Sequence, residues 1–470
     1  LIGHVNTVAD GRAQARGGAV TIAAMFMRRF ASIVLPTTLL ACGDSAASDS
    51  RGADTGITSA ETGTNDNSSQ EGQENSGDGD PTGDGDPTGD GDSTGPKFDL
   101  AEIPDAALGD CGGGGGMGDA EWSNIWISNS PQGTVSKIDT MTAVELARYS
   151  AGPGNPDPSR TSVNLLGDAA VVDRNGGIMK VAARLDDCVD SNNNGVIETS
   201  NGPGNVLPWG TDECVLWHVS LPSSSNRGPR PVAWEGKYDA QSCVYESPRV
   251  WVGHYHQNQN IGVFYRLDGE TGQILDMLEH PWSGQTYGPY GGAVNADGDF
   301  FVLGWNSGPL IRIDAETLAV SSWPTPAAFV YGMTVDQNGD VWTAGSGQYH
   351  KFDVDTETWS SGNAGSSMRG VAAHPDGYIW IADPGGVVKV DMNTNQLVAD
   401  LALPGVSSPV GVSVDPEGYV WLVDQGASKA VKIDPDTHQI VAETLGLVSP
   451  YTYSDMTGGG LSLVAGGPQG

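Results

Sequence analysis

Positive charge is scarce in this chain: 23 Lys and Arg face 58 Asp and Glu, a formal net charge of −35 over 470 residues. So acidic a polypeptide repels phosphate backbones and anionic headgroups, which argues against nucleic acid and against direct electrostatic docking on a membrane. Amphipathic helical stretches are missing as well. Downstream of residue 100 no segment combines the length and the periodicity of a helix, so an all-β domain is expected. The sequence also lacks a Gly-rich phosphate loop, a Ser-His-Asp set, a nucleophilic Cys and a zinc framework. The glycines from Gly112 to Gly116 precede no helix and read as loop.

What the chain has in abundance is glycine, 67 residues, and a repeat built on it. Four copies are clear: YGGAVNADGDFFVLGWNSGPLIRID, YGMTVDQNGDVWTAGSGQYHKFDV, RGVAAHPDGYIWIADPGGVVKVD and VGVSVDPEGYVWLVDQGASKAVKID. Their turn glycines, Gly298, Gly339, Gly377 and Gly418, lie 41, 38 and 41 residues apart. A period near forty made of short strands indicates propeller blades. Weaker copies begin at Ile125, Val163 and Val250, giving seven blades. The segment Ser449 to Gly458 resembles Ser408 to Gly418 with one residue deleted, so the C-terminus is expected to supply the innermost strand of blade 1 and remove the open edges. The Trp at positions 126, 251, 342, 380 and 421 is expected to pack between blades.

The N-terminal hundred residues are of another kind. Residues 1–24, which start with Leu, read as an over-extended leader and are set aside. From Met25 or Met27 follow Arg28-Arg29, a short apolar run from Phe30 to Leu40, and Leu39-Leu40-Ala41-Cys42. This ending resembles the lipobox of bacterial lipoproteins, which implies lipid attachment at Cys42 and a protein of the cell envelope, on the outer membrane or surface. Residues 43–98, with GDGDPT recurring from Gly77, have too little apolar content to fold and read as a flexible acidic tether to a propeller over 99–470. Four cysteines remain. In an exported chain they read as two disulfides, of which Cys188 to Cys214 and Cys111 to Cys243 are the preferred pairing among three.

The strand, Asp-x-x-Gly turn, Trp strand and closing Asp together resemble the virginiamycin B lyase and NHL-like β-propellers. That resemblance implies seven blades and, for the lyases, elimination chemistry with Mg²⁺, a His before the inner-strand Gly and a Glu ending the Trp strand. Here the first place holds Tyr290, Tyr331, Arg369 and Val410, and the second holds Asn129, His254, Gly304, Gly345, Asp383 and Asp424. No catalytic residue is assigned. A ligand site at the channel mouth, formed by Arg160, His254, Tyr290, Tyr331, Arg369, Asp383 and Asp424, with Tyr451 in the same ring, is the leading reading. Its rival is a structural network in which Arg369 pairs with Asp383 and Asp424. His254 and His256 share a strand face and form a candidate metal pair.

An insertion over 186–247, between blades 2 and 3, carries DSNNNGVIE. Asp190, Asn192, Asn194, the Val196 carbonyl and Glu198 follow the spacing of a calcium loop, with Gly195 at the turn and Asn201 where a bidentate acid would stand. The composite expectation is a monomeric, membrane-anchored exported lipoprotein that binds a small molecule, peptide or envelope partner, with Ca²⁺ in the insertion. A diverged Mg²⁺-dependent lyase acting on a cyclic or linear small molecule is the alternative, and a purely structural envelope protein the third.

Overall fold

The computed structural model describes residues 123–222, 227–239, 244–245, 248–282, 287–326 and 329–465. The leader, Cys42, the acidic tether, Cys111 and Cys243 lie outside the described residues. Seven antiparallel blade sheets follow one another along the described chain, with one small ribbon, Tyr238–Asp239 with Val244–Tyr245. This is a seven-bladed β-propeller. The inner strands of blades 2 to 7 are Pro158–Val163, Val232–Glu235, Pro289–Val294, Val330–Val335, Val371–His374 and Pro409–Val414. In blade 5 one stretch, Val341–Asp353, serves as both second and third strand, pairing inward through Val341–Gly345 and outward from Ser346.

The repeat folds this way because one acid does two jobs. The first oxygen of the Asp336 carboxylate accepts the N–H groups of Asn338 and Asp340, and the second accepts the Trp342 indole N–H at 2.8 Å. Asp415 treats Glu417, Tyr419 and Trp421 identically. The turn then needs a left-handed residue, supplied by Gly339 and Gly418 at φ +84°. Each Trp of the repeat is fully buried and reaches the next blade: Trp126 packs with Val163 and Val171 of blade 2, and Trp421 with Ile125 and Ile127 of blade 1. Burying such a ring contributes roughly 4–6 kcal/mol of gross transfer energy.

Closure occurs as expected, but through an irregular segment. Blade 1 has three strands of its own, Asn124–Asn129, Thr134–Asp139 and Glu145–Ser150. Along the free edge of the first, Tyr451 N–H donates to Ser128 O and Trp126 N–H to Met456 O, both at 2.9 Å, while Ser128 N–H donates to the Thr452 hydroxyl. With one residue fewer than the strand it imitates, the segment cannot hold ladder register throughout.

Two expectations need correction. The stretch 186–247 is not one insertion between blades: it contains Val215–Ser220, the outer strand of blade 2, and Val232–Glu235, the inner strand of blade 3. The extra chain lies within blade 2, between its third and fourth strands, and Cys188–Cys214 closes it with 26 residues of separation. A helix absent from the sequence reading, Gly459–Ala465, follows the closing segment. The Asp455 carboxylate takes the N–H groups of Gly458 and Leu461, and Leu461 projects beneath the far ends of the inner strands. Between them the channel keeps a cavity of about 40 Å³, room for a few waters.

Candidate functional site

That cavity leaves little room inside the channel, and the opposite end, where the inner strands begin, holds the expected mouth residues. Strand register puts Ser159, Arg230, Tyr290, Tyr331, Arg369 and Val410 at one ring position in blades 2 to 7, with Tyr451 of the closing segment beside blade 1 and Arg160 one place further along blade 2, where the repeat has Gly. With Arg160 the mouth has three arginines, and none of these residues is an acid.

Arg160 is fully buried. Its Nε and Nη2 donate to Tyr290 O at 3.2 and 2.7 Å, its guanidinium lies 3.4 Å from the Tyr453 ring centroid and 4.7 Å from that of Tyr290, and its Nη1 has no partner. Arg230, 3% exposed, stands 4.8 and 5.5 Å from the Tyr287 and Tyr290 ring centroids, and among the described residues its side chain donates only a long 3.4 Å bond to Gly228 O. Among the described residues neither has a carboxylate partner. Burial, together with the nearby Arg174 and Arg160 charges, holds the Arg230 guanidinium below its ordinary pKa.

Tyrosines complete the mouth. Tyr451 shares hydroxyl hydrogen bonds with Tyr290, at 3.1 Å, and with Tyr331. Burial pushes the Tyr290 phenol up, but the Arg160 and Arg230 charges overcome it and leave its pKa below the usual value. Burial raises Tyr451 to about 12 and also raises Tyr331 and Tyr453. Tyr290 is therefore the acid of this hydroxyl cluster. Half-buried Tyr287, Trp305 and Phe329 extend it outward, with Tyr287 and Trp305 edge-to-face at 4.8 Å and Trp305 and Phe329 at 5.9 Å. The arrangement offers aromatic faces over buried positive charge, which suits a flat or acidic group.

No family model matches the chain. No curated protein matches it either. Among solved structures it is similar to a streptogramin B lyase (14% identity, TM-score 0.46, covering 64% of this chain and 86% of that one). It is also similar to virginiamycin B lyase from Staphylococcus aureus (12%, 0.46, 64% and 89%) and to a protein from Lactobacillus plantarum (14%, 0.48, 70% and 98%). Likeness at this level carries no argument about activity.

The remaining expected site residues have other partners. Arg369 reaches Ser408 Oγ at 3.1 Å and Pro409 O at 3.3 Å, and forms no ion pair with Asp383 or Asp424. Those acids tie down loops: Asp383 accepts from Ser366 N–H at 2.8 Å, and Asp424 from Ser407 and Ser408 N–H at 2.8 and 2.9 Å. Asp173 and Asn129 do likewise for the N–H groups of Asp157 and Val448. The end of the second strand is thus a recurrent anchor for the segment entering the inner strand. His254 is buried, stacked against Tyr265 with ring centroids 5.8 Å apart, and lines a cavity with His256.

Arg230 and Tyr453 escaped the sequence reading. Pro231 stands where the repeat has Gly, hiding blade 3's first strand; Arg230 becomes legible once Val232 is set beside Gly292.

In the blade 2 insertion, the Asp190 carboxylate accepts from Asn194 and Gly195 N–H, and Glu198 accepts from the side-chain amides of Asn192 and Asn194. The four side chains meet, and with the Val196 carbonyl they are hard oxygen donors of the type Ca²⁺ takes. Their amides would have to turn to present oxygen. Asp212 and Glu213 are engaged locally, by Thr199 and Ser200 and by Ser191, Asn192 and Glu198 respectively.

Proposed function

We propose that this protein is an exported lipoprotein, anchored through lipid on Cys42, whose propeller binds an acidic small molecule, peptide or envelope partner across the tyrosine and arginine mouth. One observation carries the binding reading: in a chain of net charge −35, the mouth has three arginines and none of its ring residues is an acid, and two of the arginines, Arg160 and Arg230, are buried with no carboxylate partner among the described residues. Buried charge without a partner is costly, so its retention is explained by what the mouth receives. Retention of the anchor is tested by Cys42→Ser, which should move the full chain from the membrane to the soluble fraction; unchanged membrane association would remove the lipid anchor. For binding, a library of carboxylated and neutral aromatic compounds is screened by thermal shift against the wild type, Arg230→Met and Tyr331→Phe. Hits that are acidic and lose their shift in Arg230→Met support the reading, whereas hits indifferent to both substitutions would sink it.

The meeting of Asp190, Asn192, Asn194 and Glu198 supports a second element, a structural Ca²⁺ in the blade 2 insertion. Calcium should raise the melting temperature of the wild type and chelator should reverse the rise. No difference between Asp190→Ala and wild type in calcium would overturn it.

A further inference from the structure

Beside the mouth, on the face where second strands end and inner strands begin, blade 3 holds a cavity of about 270 Å³. It is lined chiefly by Arg227, His254, Tyr255, His256, Gln257 and Asn258. Every polar group in this lining can donate a hydrogen bond, and no carboxylate is among them. Two of its nitrogens have nowhere to go: Arg227 Nε and His256 Nδ1 are buried and without partners. His254 Nε2 meets only the Tyr265 hydroxyl, at a long 3.4 Å. The segment is held in place by Tyr255 N–H donating to Arg227 O and by the Tyr255 hydroxyl donating to Asn260. Packing is tight there as well, since a Cβ at Gly288 would fall 2.4 Å from the Tyr255 ring.

We propose that this cavity binds the oxyanion group of a small molecule, a phosphate or a carboxylate, through Arg227, His254 and His256. The His254 and His256 pair taken alone reads as a metal grip, but the setting opposes a cation. Arg227 brings a permanent positive charge into the same cavity, and no acid is among the described residues that line it. An anion reverses each of these conditions, accepting from the Arg227 guanidinium and the His256 ring, whose buried nitrogens otherwise lack partners. Burial, reinforced by the neighbouring His256, lowers the pKa of His254 to about 4, so its neutral ring offers a single N–H near neutral pH. The cavity is slightly below the size of common small-molecule pockets, roughly 300–1,000 Å³, and above that of a lone bound water, which favours an anionic group on a compact scaffold.

The inference does not rest on the mouth reading, and one experiment separates them. The purified full chain is titrated with inorganic phosphate, and in a parallel arm with acetate, by calorimetry and thermal shift at constant ionic strength maintained with chloride. Saturable binding of at least one anion is expected, weakened about tenfold or more in Arg227→Gln, which removes a charged donor, and weakened to a lesser degree in His256→Gln. Arg230→Met should bind as the wild type does, and Arg227→Gln and His256→Gln should melt like the wild type in chloride alone. Absence of saturable binding for both anions, or equal binding by Arg227→Gln, would overturn the assignment. Binding lost in Arg230→Met and kept in Arg227→Gln would also overturn it, while strengthening the case for the mouth.

Discussion

Replacing Arg230 with methionine is expected to leave the free protein more stable, an unusual outcome for a residue 3% exposed. The side chain's favourable contacts are few: two aromatic rings at 4.8 and 5.5 Å, worth about 1–3 kcal/mol together, and one 3.4 Å bond to Gly228 O that adds little. Against these stands the desolvation of a full charge, several kcal/mol, made worse by Arg160 and Arg174 nearby. Methionine keeps most of the volume and removes the charge, so a net gain of about 1–3 kcal/mol follows. Arg266 provides the contrast. It is 7% exposed, yet it pairs with Asp276 and donates to Ala315 O at 2.6 Å, so Arg266→Met should lose about 3–5 kcal/mol by stranding its partners. Urea denaturation followed by tryptophan fluorescence measures both against the wild type. Should Arg230→Met fall more than about 1 kcal/mol below the wild type, Arg230 is structural and the mouth loses its principal support.

Three further outcomes are expected. Opening the Cys188–Cys214 bridge as the double Ser variant releases a loop of 26 residues and should cost about 3.5 kcal/mol by loop entropy; equal urea midpoints for both proteins would refute this. The Glu198 N–H, with Ser191 and Asn192, holds the Glu213 carboxyl at about 2, below its ordinary 4.5. A depressed acid stabilises fully above the higher value and loses that contribution as pH falls through the lower one, so the protection of residues 189–213 against hydrogen exchange, taken relative to each amide's intrinsic rate, should fall as pH drops from 4.5 to 2, and Glu213→Gln should abolish the change. Finally, Trp342→Phe preserves most of the ring but leaves the buried Asp336 oxygen without its indole donor, at about 1–3 kcal/mol, and an unchanged thermal midpoint would contradict the two-job reading of that acid.

The blades were legible because their framework is local chemistry. A Gly at positive φ, an acid two to four residues before it and a Trp after it can be read from a window of ten residues, as Asp415, Gly418 and Trp421 show. The Cys188–Cys214 bridge could be guessed from spacing. The outer strand Val215–Ser220 could not, because an outer strand packs on one face and bears no repeat marks, so the preceding insertion absorbed it. Gly459–Ala465 spans seven residues, too few to display a helical period. The mouth was legible in part: Arg160, Tyr290, Tyr331 and Tyr451 converge, while Arg369, Asp383 and Asp424 satisfy backbone or side-chain groups close in sequence to them or in the adjoining blade, a demand that residue type does not advertise. His254 belongs to another cavity, on the same face.

The hydrogen bond between Ser128 N–H and Thr452 spans 324 residues. Blades 2 to 7 can each assemble from neighbouring chain as it becomes available, but the first blade stays one strand short until the last segment arrives. Folding therefore has a clasp that can be fastened only at the end, and a loop of this length adds to the entropy of fastening it. Once it is fastened, the ring has no terminal blade from which to fray, so the same bond that delays completion makes unfolding a single collective event.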